Sequence, residues 1–197
     1  MRTALALCAF LVLASPSPAR AEWQLTPMVG LTMLGSTTIV DPELGTENRH
    51  WNFGGAVSLL SSGLLGAEVI TTWTPGFFQT GDLDLIATGR TVSLMANVVL
   101  TTPRRWTEYS LRPFVSGGFG LMHVRKVDKP EGLFPVNLNL GGFNIGGGAV
   151  GFLTNRTGLR FDVRYHSTLR EVDKGPIAFG PVRLRYLTAS VGIVFRR

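Results

Sequence analysis

At 197 residues, 45% of them apolar and 24 of them glycine, the chain is too hydrophobic to be disordered and is sized for one domain. Without Arg2 and Arg20 it carries 17 basic against 13 acidic residues, and its arginines are scattered, which excludes the clustered basic face of a nucleic-acid binder. The only cysteine, Cys8, lies near the N-terminus, so a mature chain lacking that segment has neither disulfides nor thiolate chemistry.

In chain order, the first segment reads as a secretory signal peptide over residues 1–21. Arg2 supplies the positive charge, residues 4–14 the apolar stretch, and Ala19 and Ala21 the small-x-small cleavage site. The apolar stretch is about half of the ~20 residues a spanning helix needs. Pro16 and Pro18 would end a helix there. Cys8 stands in the middle of the stretch rather than at its end, which argues against a lipid anchor.

Eight alternating segments follow, each with a face that is mostly apolar, the period of a strand. They cover about 22–34, 51–60, 65–73, 90–100, 111–124, 140–153, 159–166 and 183–195. The third sets Leu65, Ala67, Val69 and Trp73 against Gly66, Glu68, Ile70 and Thr72. The fifth sets Val115, Phe119 and Leu121 against Arg112, Ser116, Gly118 and Gly120. The seventh is the sharpest: Leu159, Phe161, Val163 and Tyr165 face one way, and Arg160, Asp162, Arg164 and His166 the other. The eighth aligns Leu187, Ala189, Val191, Ile193 and Phe195.

The connections alternate in length. Those near 35–50, 74–89, 125–139 and 170–181 are long and polar, while 61–63, 101–110 and 154–158 are shorter. Membrane barrels carry short periplasmic turns and longer outer loops, so both termini are expected on the periplasmic side. The 176 residues of 22–197 leave 22 for each of eight strands with its connection. That is room for roughly 10 spanning residues and a loop. The fold class expected is therefore all-β, an eight-stranded antiparallel up-and-down transmembrane barrel over 22–197.

Residues 111–121, 143–153, 158–165 and 190–195 resemble the small outer-membrane β-barrel proteins of the OmpA/OmpX/OmpW type. The resemblance implies a bacterial outer-membrane location reached through the periplasm. It also implies lipid and lipopolysaccharide as surroundings, and a terminal strand read by the barrel-assembly machinery through Gly192, Ile193 and Phe195. The chain departs from that pattern by ending in Arg196 and Arg197 rather than at the aromatic. The family shares no single activity, so no catalytic residue, metal or cofactor follows from it.

An eight-stranded barrel is wide enough only for side chains, so charges inside it must pair. Glu68, Arg112, Arg160, Asp162, Arg164 and His166 are expected to form an internal ion network. A second group, Arg90, His123, Arg125, Arg183 and Arg185, falls by parity on the lipid-facing side at the loop ends, in reach of lipopolysaccharide phosphates. Trp23, Trp51, Trp73, Trp106, Phe77, Phe78 and Phe195 fit interfacial aromatic girdles.

The leading functional expectation is a non-enzymatic, monomeric surface barrel with a structural or surface-interaction role or a narrow path for small apolar solutes, and with no nucleic-acid partner. One alternative is a lipid A deacylase or acyltransferase built on His166, in which Thr168 rather than Ser167 shares the face of the histidine. Another is a soluble, lipocalin-like periplasmic barrel, which would turn its apolar faces inward.

Overall fold

The structure, a computed structural model, describes residues 22–37, 49–61, 63–77, 86–103, 111–128, 136–169 and 184–197. The expected signal peptide lies outside the described residues. Eight strands, β1 (Glu22–Thr37), β2 (Arg49–Leu60), β3 (Leu65–Pro75), β4 (Ile86–Thr101), β5 (Arg112–Asp128), β6 (Val136–Phe152), β7 (Thr157–Thr168) and β8 (Leu184–Arg196), close into a barrel. Each pairs antiparallel with its sequence neighbours, and β8 returns to β1. Closure leaves no free sheet edge, which is what a strand wall in hydrocarbon requires.

Alternation sorts the side chains. Val98, Phe119, Ile145 and Phe161 are 54–66% exposed on the outside, while Glu68, Arg160, Asp162 and Arg164 are 1–4% exposed within. Apolar outside and polar inside is the reverse of a lipocalin, so that alternative is overturned. From Leu111, just before β5, the outward apolar run to Leu121 covers ten steps. At about 3.4 Å per residue and ~40° of tilt this is about 26 Å along the axis, the height of a bilayer-facing band.

The strands run further than the alternation suggests, and the excess lies at the loop end. β1 reaches Thr37, β5 reaches Asp128 and β6 begins at Val136. There the outward residues turn polar or charged, as at Arg49, Arg90, Arg125, Asn137 and Asn139, so the apolar stripe ends while the backbone ladder continues. The long connection expected at 125–139 accordingly shrinks to 129–135, and 102–111 is as long as 76–85.

Close approach of β4 and β5 depends on glycine. A Cβ at Gly118 would meet the Ala96 carbonyl oxygen, and one at Gly120 the Leu94 carbonyl oxygen. Both positions point inward, where a small barrel curves most tightly.

Candidate functional site in the lumen and at the loop-end rim

The inward faces stack in layers. At the turn end, Glu22 lies 3.9 Å from Arg112 and 3.7 Å from Arg196, and accepts a hydrogen bond from Gln24 Nε2 at 2.6 Å. Above this, Leu60, Val99, Phe114, Val150 and Val194 form an apolar layer. A cavity of about 20 Å³ beside Gln24, Ser58, Thr101, Arg112 and Arg160 is room for a single water.

The middle layer is a closed ring of charges. Arg160 Nη1 donates to Glu68 Oε2 at 2.5 Å, and its Nη2 to Asp162 Oδ2 at 2.6 Å. Arg164 closes the circuit through Nη2, at 3.0 Å from both Glu68 Oε1 and Asp162 Oδ2, with Nε 3.2 Å from Asp162 Oδ1. Two cations and two anions leave the ring neutral. Neutral amides extend it: Arg164 Nη1 donates to Asn144 Oδ1 at 2.8 Å, and Asn144 Nδ2 to Asn97 Oδ1 at 2.8 Å. Ser58 donates to Glu68 Oε2 at 3.0 Å, and the Arg160 guanidinium stacks 4.4 Å above the Phe114 ring.

Of the six residues expected in one network, four meet. Arg112 belongs to the turn-end layer with Glu22, where its Nη2 also donates to the Thr102 carbonyl at 3.2 Å. His166 lies above the ring, fully buried, stacked on Tyr186 with centroids 4.7 Å apart and planes 13° apart. Parity places a side chain inside the barrel, but strand stagger sets its height, and stagger separates both residues from the ring. Asn97, Asn144 and Ser58 were not singled out by the sequence reading. Their signal is modest, a neutral polar residue at an inward position of an otherwise apolar or glycine-rich strand.

Above the ring, Met28, Ile70, Met95, Met122, Leu140, Leu184 and Tyr186 form the second apolar layer. Phe77 joins it, 6% exposed and edge-on to Tyr186 at 5.3 Å, rather than standing in an outer girdle. Gly76 explains the difference: its φ of 69° is a left-handed conformation open to glycine, and it turns the chain back over the rim. Trp23, Trp51, Trp73 and Phe195 do face outward, 46–62% exposed, while Trp106 and Phe78 lie outside the described residues.

The fold recurs in solved structures. Neisserial surface protein A matches at 14% identity and a TM-score of 0.53, over 87% of this chain and 96% of that one. OprG from Pseudomonas aeruginosa matches at 10% identity and 0.54, over 91% and 97%. Ail of Yersinia pestis, in complex with the heparin analogue sucrose octasulfate, matches at 14% and 0.52, over 89% and 99%. The chain has the fold of the small outer-membrane β-barrels. No family model and no curated protein matches its sequence.

In this outer-membrane barrel fold the closing seam and the rim carry the remaining candidate residues. Ile193 and Phe195 face outward, whereas Gly192 faces inward, where a Cβ would come 2.5 Å from the Met28 side chain. Arg196 is built into the seam. Its Nε and Nη2 donate to the Asn155 carbonyl at 2.8 and 2.6 Å, and its guanidinium lies 4.2 Å over Phe152. Arg197 exchanges backbone hydrogen bonds with Trp23 at 3.0 and 3.3 Å.

At the opposite rim, Arg90 and Arg125 are cross-strand partners and both exposed. His123 Nδ1 lies 2.8 Å from Asn139 Oδ1. Arg185, also exposed, stands apart opposite Ser167, and Arg183 lies outside the described residues. The hydrolytic arrangement considered for His166 is not formed. Neither ring nitrogen has a hydrogen-bond partner. Thr168 Oγ1 instead accepts from the Leu184 N–H at 3.2 Å, and Ser167 Oγ donates to the Thr168 carbonyl at 3.4 Å.

Proposed function

We propose that this chain is a non-enzymatic barrel of the bacterial outer membrane that acts through its outer surface and loops, with a lumen closed to ions. The neutral ring of Glu68, Arg160, Asp162 and Arg164 carries the reading: it spans the lumen between two apolar layers and satisfies its own charges. A polar channel needs groups free to exchange with solvent, and these are committed to one another. The likeness to outer-membrane barrels and the outward apolar band support the location.

His166 lacks the nucleophile contact that acyl transfer requires, which supports the non-enzymatic reading. Mass spectra of lipid A from cells making or lacking the protein test it. Identical spectra are expected, and a shift of one acyl chain in the producing cells would establish a lipid-modifying enzyme instead.

A further inference from the structure

His166 is sealed inside the lumen at 0% exposure, yet neither of its ring nitrogens has a hydrogen-bond partner. An imidazole offers an N–H and a lone pair, and a buried polar group of that kind calls for a partner. Its neighbours are committed elsewhere. Asn144, its ladder partner on β6, accepts from Arg164 and donates to Asn97. Thr168, two residues further along β7, accepts from the Leu184 N–H. Tyr186, its partner on β8, lies flat against the ring with planes 13° apart, so it covers a face of the imidazole and leaves the edge open. Ring nitrogens bind at the edge, in the plane of the ring.

The side chains that share this end of the lumen are soft donors. Met95 and Met122, both at 0% exposure, pack in one layer with Tyr186. Met122 folds from β5 over β6, where its Sδ would stand 2.5 Å from a Cβ at Gly142. Gly142 and Asn144 are successive inward positions of β6, and Asn144 is the partner of His166. The bare backbone at Gly142 thus gives the Met122 sulfur its place beside the histidine. Met95 on β4 is the partner of Gly120, the inward residue next to Met122 on β5, so glycine again clears the space between donors. Met28 packs instead against Gly192 at the β1–β8 seam.

From this juxtaposition we infer that the upper lumen binds a soft monovalent cation, Cu(I) or its analogue Ag(I), through the thioethers of Met95 and Met122 and a ring nitrogen of His166. Thioether sulfur is polarisable and selects soft ions, and imidazole suits copper as well. Harder cations lack a donor set: among the described residues no three His, Cys, Asp or Glu side chains group to hold one. The charge of Arg164, two residues from His166, is spent on Glu68 and Asp162, so a single positive charge above the ring meets little repulsion. The ring stays the floor of the site, which holds an ion at the loop end without passing it on.

The test uses the full folded barrel in detergent and a chloride-free buffer, titrated with silver nitrate and, separately, zinc nitrate, with bound metal counted by native mass spectrometry. The wild-type protein should take up one Ag(I) per barrel, at least tenfold more tightly than Zn(II). M95L, M122L and H166F should each weaken silver binding at least tenfold, while M33L, on the outward face of β1, leaves it unchanged. Faster migration of the unboiled protein on a gel confirms that each variant is folded.

No silver retained, silver held as tightly by any of the three lumen variants as by the wild type, or Zn(II) held as tightly as Ag(I) would each overturn the site. If H166F does not fold, the two methionine variants, which conserve side-chain volume, decide. Failure of silver to bind leaves the closed lumen intact, because conductance is measured independently.

Discussion

Arg164 holds the lumen together, because it touches both acids of the ring and the Asn144 bridge to β6. Replacing one member of a buried ion cluster strands the partners it leaves behind, at a cost of about 3–5 kcal/mol, whereas replacing the whole cluster by apolar groups is often neutral. R164M is therefore expected to lose about 3–5 kcal/mol in urea unfolding from lipid vesicles. The quadruple change E68L/R160M/D162L/R164M should recover most of it. A loss below ~1 kcal/mol for R164M would show that the ring is solvated, since exposed ion pairs are worth no more than that. Phe77 gives a second residue-level test. As a buried member of the upper layer it should cost about 3 kcal/mol or more on truncation to alanine in the same unfolding assay, well above what a girdle aromatic at the interface would lose.

At the scale of elements, the contact between β4 and β5 relies on Gly118. A Val there cannot avoid the Ala96 carbonyl, so G118V should abolish the heat-modifiable gel shift. The β1–β8 seam relies on Arg196, which ties the last strand to Glu22, Asn155 and Phe152. R196A should unfold at lower urea even in vesicles without assembly machinery, and unchanged unfolding would reduce Arg196 to an appendage.

The strand cores were legible in the sequence because an outward face that is apolar nearly throughout alternates with an inward face mixed of polar, charged, small and apolar residues. The loop-end extensions were not, because the outward residues there are polar or charged, as at Arg49, Arg90, Arg125, Asn137 and Asn139. Arg160, Asp162 and Arg164 were legible as a set because i, i+2 spacing on one strand puts them at one angle. Arg112 and His166 were misassigned because parity reports direction and not height. Phe77 was misread because one left-handed glycine reverses it.

For the whole molecule, charge is partitioned by environment. Among the described residues the interior acids Glu22, Glu68 and Asp162 are matched by arginines, and the strand arginines turned outward, Arg49, Arg90, Arg125 and Arg185, stand at one rim. We propose that such a body resists ion flow and presents its chemistry to the membrane surface and through its loops. Its central claim is the closed lumen, and single-channel recording in planar bilayers tests it most directly. The wild-type barrel, shown to be inserted, should give no stable conductance steps, and steady steps of nanosiemens size would contradict the account.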